Sequence, residues 1–385
     1  MDKKQLAGLF ICCLLIWTLG NGLLPLLPVY ATKLGAESDA IGYYMSFVYV
    51  AIALSTVTAG WLSDKLQNRK MLLFFCGALI VPSLLLLGQL ASFGALIVLS
   101  AVVWFLGGMG LTLISILAGI FAKEMERGKV FGTLALTGAL GFLIGGSVTG
   151  PLADRYGYPM MFTVLAVGMS LLPLTALVLK DKPVARSGKG AMSGTRARLG
   201  KGLLLLLIAS TFSGIVNFSA RLGTSLVMVG HGFESTAIAS TMVIAGAITL
   251  PLPLLLGWLS DRLGRKWFLG IFYLMGTMGS LILTSSLSLW HFWLVSSLTT
   301  AMFYINNGLG SALVADLVPK ESLGRGMSLF GSTAWAGGII GFACTGYCIQ
   351  NLGIGLTFFT AAFLTAIAMM LLIPIRREKL EEVPT

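Results

Sequence analysis

The chain has 385 residues, 56% of them hydrophobic and 11% charged, with a mean hydropathy of +0.91. A soluble protein of this length carries roughly twice that share of charge, so composition excludes a soluble globular domain and points to an integral membrane protein. The formal net charge of +11 is explained by where the basic residues lie and calls for no nucleic acid or acidic partner.

A helix needs ~20 apolar residues to cross ~30 Å of hydrocarbon. Twelve runs meet that need, at about 5–30, 40–61, 71–91, 94–121, 129–150, 159–179, 202–228, 237–258, 267–288, 291–316, 325–349 and 352–374. The first follows Met1-Asp2-Lys3-Lys4, is too long for a signal-peptide core and has no small-residue cleavage site, which predicts a retained helix. Pro25, Pro28, Pro82, Pro251 and Pro253 fall inside runs, where neighbouring helices re-satisfy the backbone. The longest polar stretch, Lys180–Lys201, is basic apart from Asp181 and rich in Gly and Ser. It reads as a solvated connector against anionic lipid. The expected organisation is an N-terminal six-helix bundle over 1–180, a linker over 181–201 and a second six-helix bundle over 202–385. The five cysteines (Cys12, Cys13, Cys76, Cys344, Cys348) lie in apolar runs and read as buried thiols. Neither a metal site nor a cofactor is expected.

An even span count puts both termini on one side. Of the 26 Lys and Arg, all but Lys33, Arg155 and Arg221 lie at the termini or in the even-numbered loops. Those segments face the cytoplasm by the positive-inside rule, which predicts a multi-pass protein of the cell (inner) membrane.

Gly-Trp-Leu-Ser-Asp occurs at Gly60–Asp64 and again at Gly257–Asp261, 197 residues on, each time followed by basic residues. Upstream, Gly35, Glu37 and Ser38 match Gly232, Glu234 and Ser235 at the same offset. A constant offset means two copies of one unit. The second copy reads Gly-x-x-x-Asp-Arg-x-Gly-Arg-Lys through Gly257, Asp261, Arg262, Arg265 and Lys266. The first keeps Gly60, Asp64, Lys65 and Arg69, with Gln67 and Asn68 where a glycine and an arginine are expected.

Twelve helices in two repeats with this loop between spans two and three of each half resemble the major facilitator superfamily, over essentially the whole chain. The resemblance implies an all-α membrane protein of two six-helix bundles related by a pseudo-two-fold axis, working as a secondary transporter. Gly60 and Gly257 remove bulk so that another helix can approach. Asp64 and Asp261 sit where a helix N-terminus of the opposite half can come near, a charge–dipole contact of ~0.3–2 kcal/mol. The family's arrangement puts that terminus, for Asp64, near Gly324-Arg325-Gly326. Arg69 and Lys65 are within reach of Glu124 and Glu126. Such contacts form only when the cytoplasmic side is closed, so they bias a two-state equilibrium. Span five carries Gly141-Phe142-Leu143-Ile144-Gly145-Gly146, similar to the Gly-Pro-x-x-Gly-Gly element of proton-driven drug antiporters, with Phe142 in place of the proline.

In this fold spans one, four, seven and ten line a mid-membrane cavity. Their polar and aromatic candidates are Trp17 and Asn21, Trp104, Asn217 and Arg221, and Tyr304 and Asn307. Rings flanking amides suit a flat, partly apolar solute. Two positions are open to Arg221: snorkelling at the outer edge, or facing the cavity and favouring an anionic substrate. Proton coupling needs a titrating group, and Asp316 is the acid within span ten. With no Gly-Lys-Ser/Thr loop in the chain, ATP is not the energy source.

The leading expectation is efflux of drugs or metabolites by proton antiport. A uniporter or importer of an anionic metabolite is the alternative, and a non-transporting receptor on the same scaffold the remote one. An enzyme is not expected. The expected partners are a small organic solute, the lipid bilayer and protons, with the protein a monomer.

Overall fold

The structure, a computed structural model, describes residues 1–89, 92–123, 126–182, 200–252, 265–319 and 322–375. All regular structure among them is helical. In the first half of the chain lie α1 (Lys3–Leu23), α2 (Leu26–Lys33), α3 (Ser38–Leu66), α4 (Arg69–Gln89), α5 (Phe93–Phe121), α6 (Arg127–Met169) and α7 (Leu171–Val178). The second half holds α8 (Lys201–Gly230), α9 (Ser235–Thr249), α10 (Arg265–Leu283), α11 (Leu289–Leu317) and α12 (Leu323–Leu372). Eight helical stretches among the described residues are long and apolar enough to cross a membrane.

The apolar runs do not map one-to-one onto these helices, for local reasons. The first run divides into α1 and α2 at Pro25, whose ring removes a backbone donor and blocks the preceding turn. Runs five and six join through one residue in α6, as do runs eleven and twelve in α12. Gly157 (φ 81°, ψ 165°) and Gly353 (φ 82°, ψ 167°) make the two bends, in a backbone region that only glycine occupies without strain. Their spacing sets a local offset of 196, at which Gly141, Gly145 and Gly150 correspond to Gly337, Gly341 and Gly346.

One end of the bundle collects the termini. The Met1 ammonium lies 2.7 Å from Glu126 at the start of α6, and Gln5 Nε2 donates to Lys180 O just past α7. Lys266, at the start of α10, donates to the carbonyls of Ile373 and Ile375 at the close of α12. Lys70 makes the corresponding bond to Leu177 O in the first half. We refer to this as the terminal end.

The halves of the chain meet along two seams, α3 against α12 and α6 against α9. Both seams lie toward the far end. On the first, a Cβ on Gly42 would come within 2.7 Å of the Gly346 backbone; on the second, one on Gly150 would meet Thr236 at the same distance. Small residues here let backbones touch, which is how helices associate in lipid without a hydrophobic drive. Toward the terminal end α3 leaves the seam, and Leu54, Val57, Trp61 and Leu66 are exposed.

Cys12, Cys13 and Cys76 are buried, whereas Cys344 is exposed and Cys348 half-exposed on the outer face of α12. The uniform burial expected of the five thiols is therefore corrected. An apolar run records the presence of a membrane helix, not which of its faces meets lipid.

Candidate functional site

Between the halves lies a cavity of about 190 Å³. α1 supplies Trp17 and Asn21, α5 supplies Trp104, α8 supplies Phe218 and Arg221, and α11 supplies Phe303 and Tyr304. Tyr49 from α3, Phe142 from α6 and Trp335 from α12 complete the aromatic wall. Five residues singled out in the sequence thus line one space. Asn21 is held to the wall by Nδ2 donating to Gly138 O at 3.2 Å.

Two candidates stand elsewhere. Asn217 is fully buried outside the cavity lining, and neither its Oδ1 nor its Nδ2 has a hydrogen-bond partner. Asn307 turns back on its own helix, donating to Phe303 O at 2.9 Å. The neighbouring Asn306 makes the buried network instead, its Oδ1 accepting from Ser210 Oγ (3.1 Å) and Tyr273 Oη (2.7 Å). Successive helix positions are about 100° apart, so a one-residue choice decides which amide meets its neighbours.

Arg221 does not snorkel. It is only 9% exposed, its guanidinium 5.3 Å from the Phe142 ring centroid and 5.9 Å from that of Phe218. Nη1 approaches Met242 Sδ at 3.9 Å, and Nε has no partner. No Asp or Glu pairs with it among the described residues. Cation–π contacts return up to ~2 kcal/mol in a desolvated site, well short of what burial costs a charge. The site is therefore a buried guanidinium against aromatic rings, with no acidic partner among the described residues.

At the terminal end, Gly60 meets no neighbour and the Asp64 side chain is exposed. Lys65 Nζ lies 4.8 Å over the Trp61 ring. Arg69 does not reach Glu126, which the Met1 ammonium occupies. Its Nε donates to Ser63 Oγ at 2.9 Å and its Nη1 to Lys182 O at 3.2 Å, with Asp181 Oδ1 3.6 Å away. The hydrogen bond from that ammonium holds Glu126 below the usual carboxylate range. Gly326 packs on Val314 and Val318 of its own half rather than near Asp64. Arg265 Nη1 lies 3.1 Å from Asp316 Oδ2, so two residues picked for separate roles form one ion pair. Glu124, Gly257, Asp261 and Arg262 lie outside the described residues. Gln67 takes φ 53°, the only positive φ among described non-glycine residues, at the loop position where a glycine was expected.

At the far end the halves are bonded directly. Both Asp154 carboxylate oxygens accept from the first amides of α9, Ser235 N at 3.0 Å and Thr236 N at 2.6 Å. Tyr158 Oη and Ser235 Oγ add a bond at 3.1 Å. Burial works to raise the Asp154 pKa, but these hydrogen bonds outweigh it and hold the group below its ordinary value. Across the other seam, Gln350 Oε1 accepts from Ser38 N at 3.3 Å and Nε2 donates to Glu37 at 3.4 Å. By the internal offsets Gln350 corresponds to Asp154 and Ser38 to Ser235. The duplicated unit thus builds the same cap twice, each half capping a helix of the other. Sequence reading did not find it, because its partners are distant in the chain. The one available signal was an acid just before Gly157 and its amide counterpart before Gly353.

Comparison with known proteins agrees with this architecture. The Major Facilitator Superfamily profile matches residues 9–306 and 204–385. Sugar efflux transporter A of Dickeya chrysanthemi is 25% identical over 353 residues, covering 90% of this chain and 88% of that protein. Multidrug resistance protein MdtG of Escherichia fergusonii is 26% identical over 282 residues, 68% of this chain and 67% of that protein. The crystal structure of the nucleoside transporter NupG superposes with a TM-score of 0.78 at 18% identity, over 97% of this chain and 99% of that one. The chain belongs to the Major Facilitator Superfamily, an all-helical membrane transporter family, and its curated relatives include efflux transporters.

Proposed function

We propose that this protein exports an organic anion with a flat apolar body by alternating access across the cell (inner) membrane, with its terminal end in the cytoplasm. Arg221 carries the reading, as a buried cation with no carboxylate partner among the described residues, in an aromatic cavity between the halves. A carboxylate, sulfonate or phosphate on the solute would supply charge-assisted hydrogen bonds where the protein supplies none. Trp17, Trp104, Phe218 and Tyr304 would take the apolar body. The efflux relatives support the direction, and the positive-inside distribution of Lys and Arg supports the orientation. We take the described conformation, with the far end bonded and the terminal end of α3 free, as open to the cytoplasm.

An anionic cargo also bears on energetics. Moving one charge across the membrane is worth ~2.3 kcal/mol per 100 mV, and an inside-negative potential drives anions outward. Export then needs no titrating carboxylate, and none lines the described cavity. Proton antiport is the second reading, with Asp316, ion-paired to Arg265, as its candidate carboxylate. Efflux of an aromatic carboxylate from proteoliposomes, with potential and pH gradient set independently, separates the two. Flux should follow the potential and ignore the pH gradient; flux that follows the pH gradient alone means antiport. Arg221→Gln should lower that flux by about 100-fold, since a bidentate charged contact is worth ~3 kcal/mol. A loss of under threefold would remove Arg221 from the substrate site.

A further inference from the structure

The antiporter-like element in α6 has a phenylalanine at its centre, and the structure gives that ring a place. Phe142 is 1% exposed, and a Cβ on Gly246 of α9 would come within 2.7 Å of Phe142 Cβ and 3.4 Å of Ala139 O, so α6 and α9 approach there backbone to backbone. On the other seam the Tyr49 ring fills a notch on α12, and a Cβ on Gly338 would overlap it. The three nearest atoms to that added Cβ all belong to Tyr49. By the internal offsets Tyr49 corresponds to Gly246 and Phe142 to Gly338. The positions correspond but the contacts differ: the seat at Gly338 holds a ring, while Gly246 meets the Phe142 Cβ and the α6 backbone. In both pairs the first half of the chain carries the aromatic residue and the second half the glycine.

Both rings also form part of the cavity wall on its far side. Tyr49 meets Phe218 and Phe342 edge-on, with centroids 4.7 and 4.9 Å apart, and Phe142 meets Tyr304 at 6.1 Å. Arg221, on the opposite half, lies over Phe142. The cation that faces the cavity thus also touches an aromatic ring of the opposite half.

We propose that Tyr49 is the plug of the far-end gate, and that Arg221 transmits the arrival of an anion to the gate by exchanging its contact with the Phe142 face for the anion. The transmission step rests on the reading of Arg221 as an anion site; the plug does not. A ring in a backbone notch is either seated or withdrawn, so the plug gives its seam two discrete states. Glycine is needed at Gly338 because any side chain there occupies the seat. An anion beside the guanidinium outcompetes the ring quadrupole, and the freed Phe142 no longer ties α6 to α8 across the halves.

The test uses the full chain in right-side-out vesicles, with Cys12, Cys13, Cys76, Cys344 and Cys348 replaced by serine. Ala334→Cys, in the cavity wall, is the reporter, labelled from outside by an impermeant thiol reagent. Gly338→Ala should raise its labelling rate about tenfold. Tyr49→Leu, which adds no clash, should raise it as well. Combined with Tyr49→Ala, Gly338→Ala should add nothing further, because the three atoms nearest its Cβ belong to that ring. An equal increase in the presence and absence of the ring overturns the plug, as does unchanged labelling in Tyr49→Leu. For transmission, millimolar benzoate should speed labelling several-fold while uncharged benzamide does not. In Phe142→Leu, benzoate should still raise thermal stability but leave labelling unchanged. A benzoate response that persists in Phe142→Leu overturns transmission. Failure of benzoate to bind, or equal action by benzamide, overturns the anion reading and leaves the plug to the Gly338 and Tyr49 results.

Discussion

The two ends of the molecule are held by opposite means. At the far end α3 and α12, and α6 and α9, touch backbone to backbone, and the contact is closed by Asp154 and Gln350 capping helices of the opposite half. At the terminal end the loop resembling the family's signature holds Asp64 exposed, and its arginine, Arg69, is committed to its own half. The same physical device, an acid at a helix N-terminus, is thus engaged at one end and idle at the other. An alternating-access protein requires this, since contacts present in both states would bias neither.

Breaking the engaged end should have the largest effect. Asp154→Ala removes two hydrogen bonds to a charged acceptor, worth ~1.5–3 kcal/mol each when buried and less at this exposed site. The net expectation is about a tenfold rise in outside labelling of the cavity reporter. A change below twofold would mean that the cap is incidental to closure. Next is the loop itself. Gln67 holds a left-handed backbone that costs a residue with a Cβ ~1–2 kcal/mol. Gln67→Gly should therefore raise thermal stability by about 1 kcal/mol; a fall would show that the Gln67 side chain is worth more than the strain.

Smaller still is the partner cap. Gln350→Ala breaks two long neutral bonds and should raise outside labelling by about threefold or less, from ~0.5 kcal/mol. An effect equal to that of Asp154→Ala would erase the distinction between the two seams. Glu37, 3.4 Å away, gives a reason for the amide, since a second carboxylate there would be repelled. The smallest expected effect is that of pH. The Asp154 pKa is lowered, so its contribution to closure is fully present above the ordinary carboxylate value of about 3.9 and is lost only as pH falls through the lowered value. Outside labelling should stay flat from pH 8 to 5. A rise within that range would assign closure to another titrating group.

Much of this was legible in the chain because the signals are periodic or duplicated. Apolar length marks membrane helices, and the repeat of Gly-Trp-Leu-Ser-Asp marks the two units. Trp17, Asn21, Trp104, Arg221 and Tyr304 stand out as polar or aromatic residues in spans that line a cavity. Tyr49, Phe218, Phe303 and Trp335 did not, because a ring in an apolar helix looks the same facing lipid, core or cavity. The azimuth of a helix decides that, and packing sets the azimuth. For the same reason Asn217 and Asn307 were selected while Asn306 makes the network. Arg69 was matched to Glu126, whereas Glu126 pairs with the Met1 ammonium and Arg69 lies near Asp181, groups that come near only when the bundle forms.

The central claim is that far-end bonding and terminal-end separation are one equilibrium. Spin labels at exposed positions test it by pulsed electron–electron distance measurement, with Tyr156 and Leu352 at the far end and Leu66 and Trp267 at the terminal end. In Asp154→Ala the account predicts a new population in which the far-end pair lengthens and the terminal-end pair shortens, in equal proportion. A far-end distribution unchanged by the substitution, or both pairs lengthening together, would contradict it.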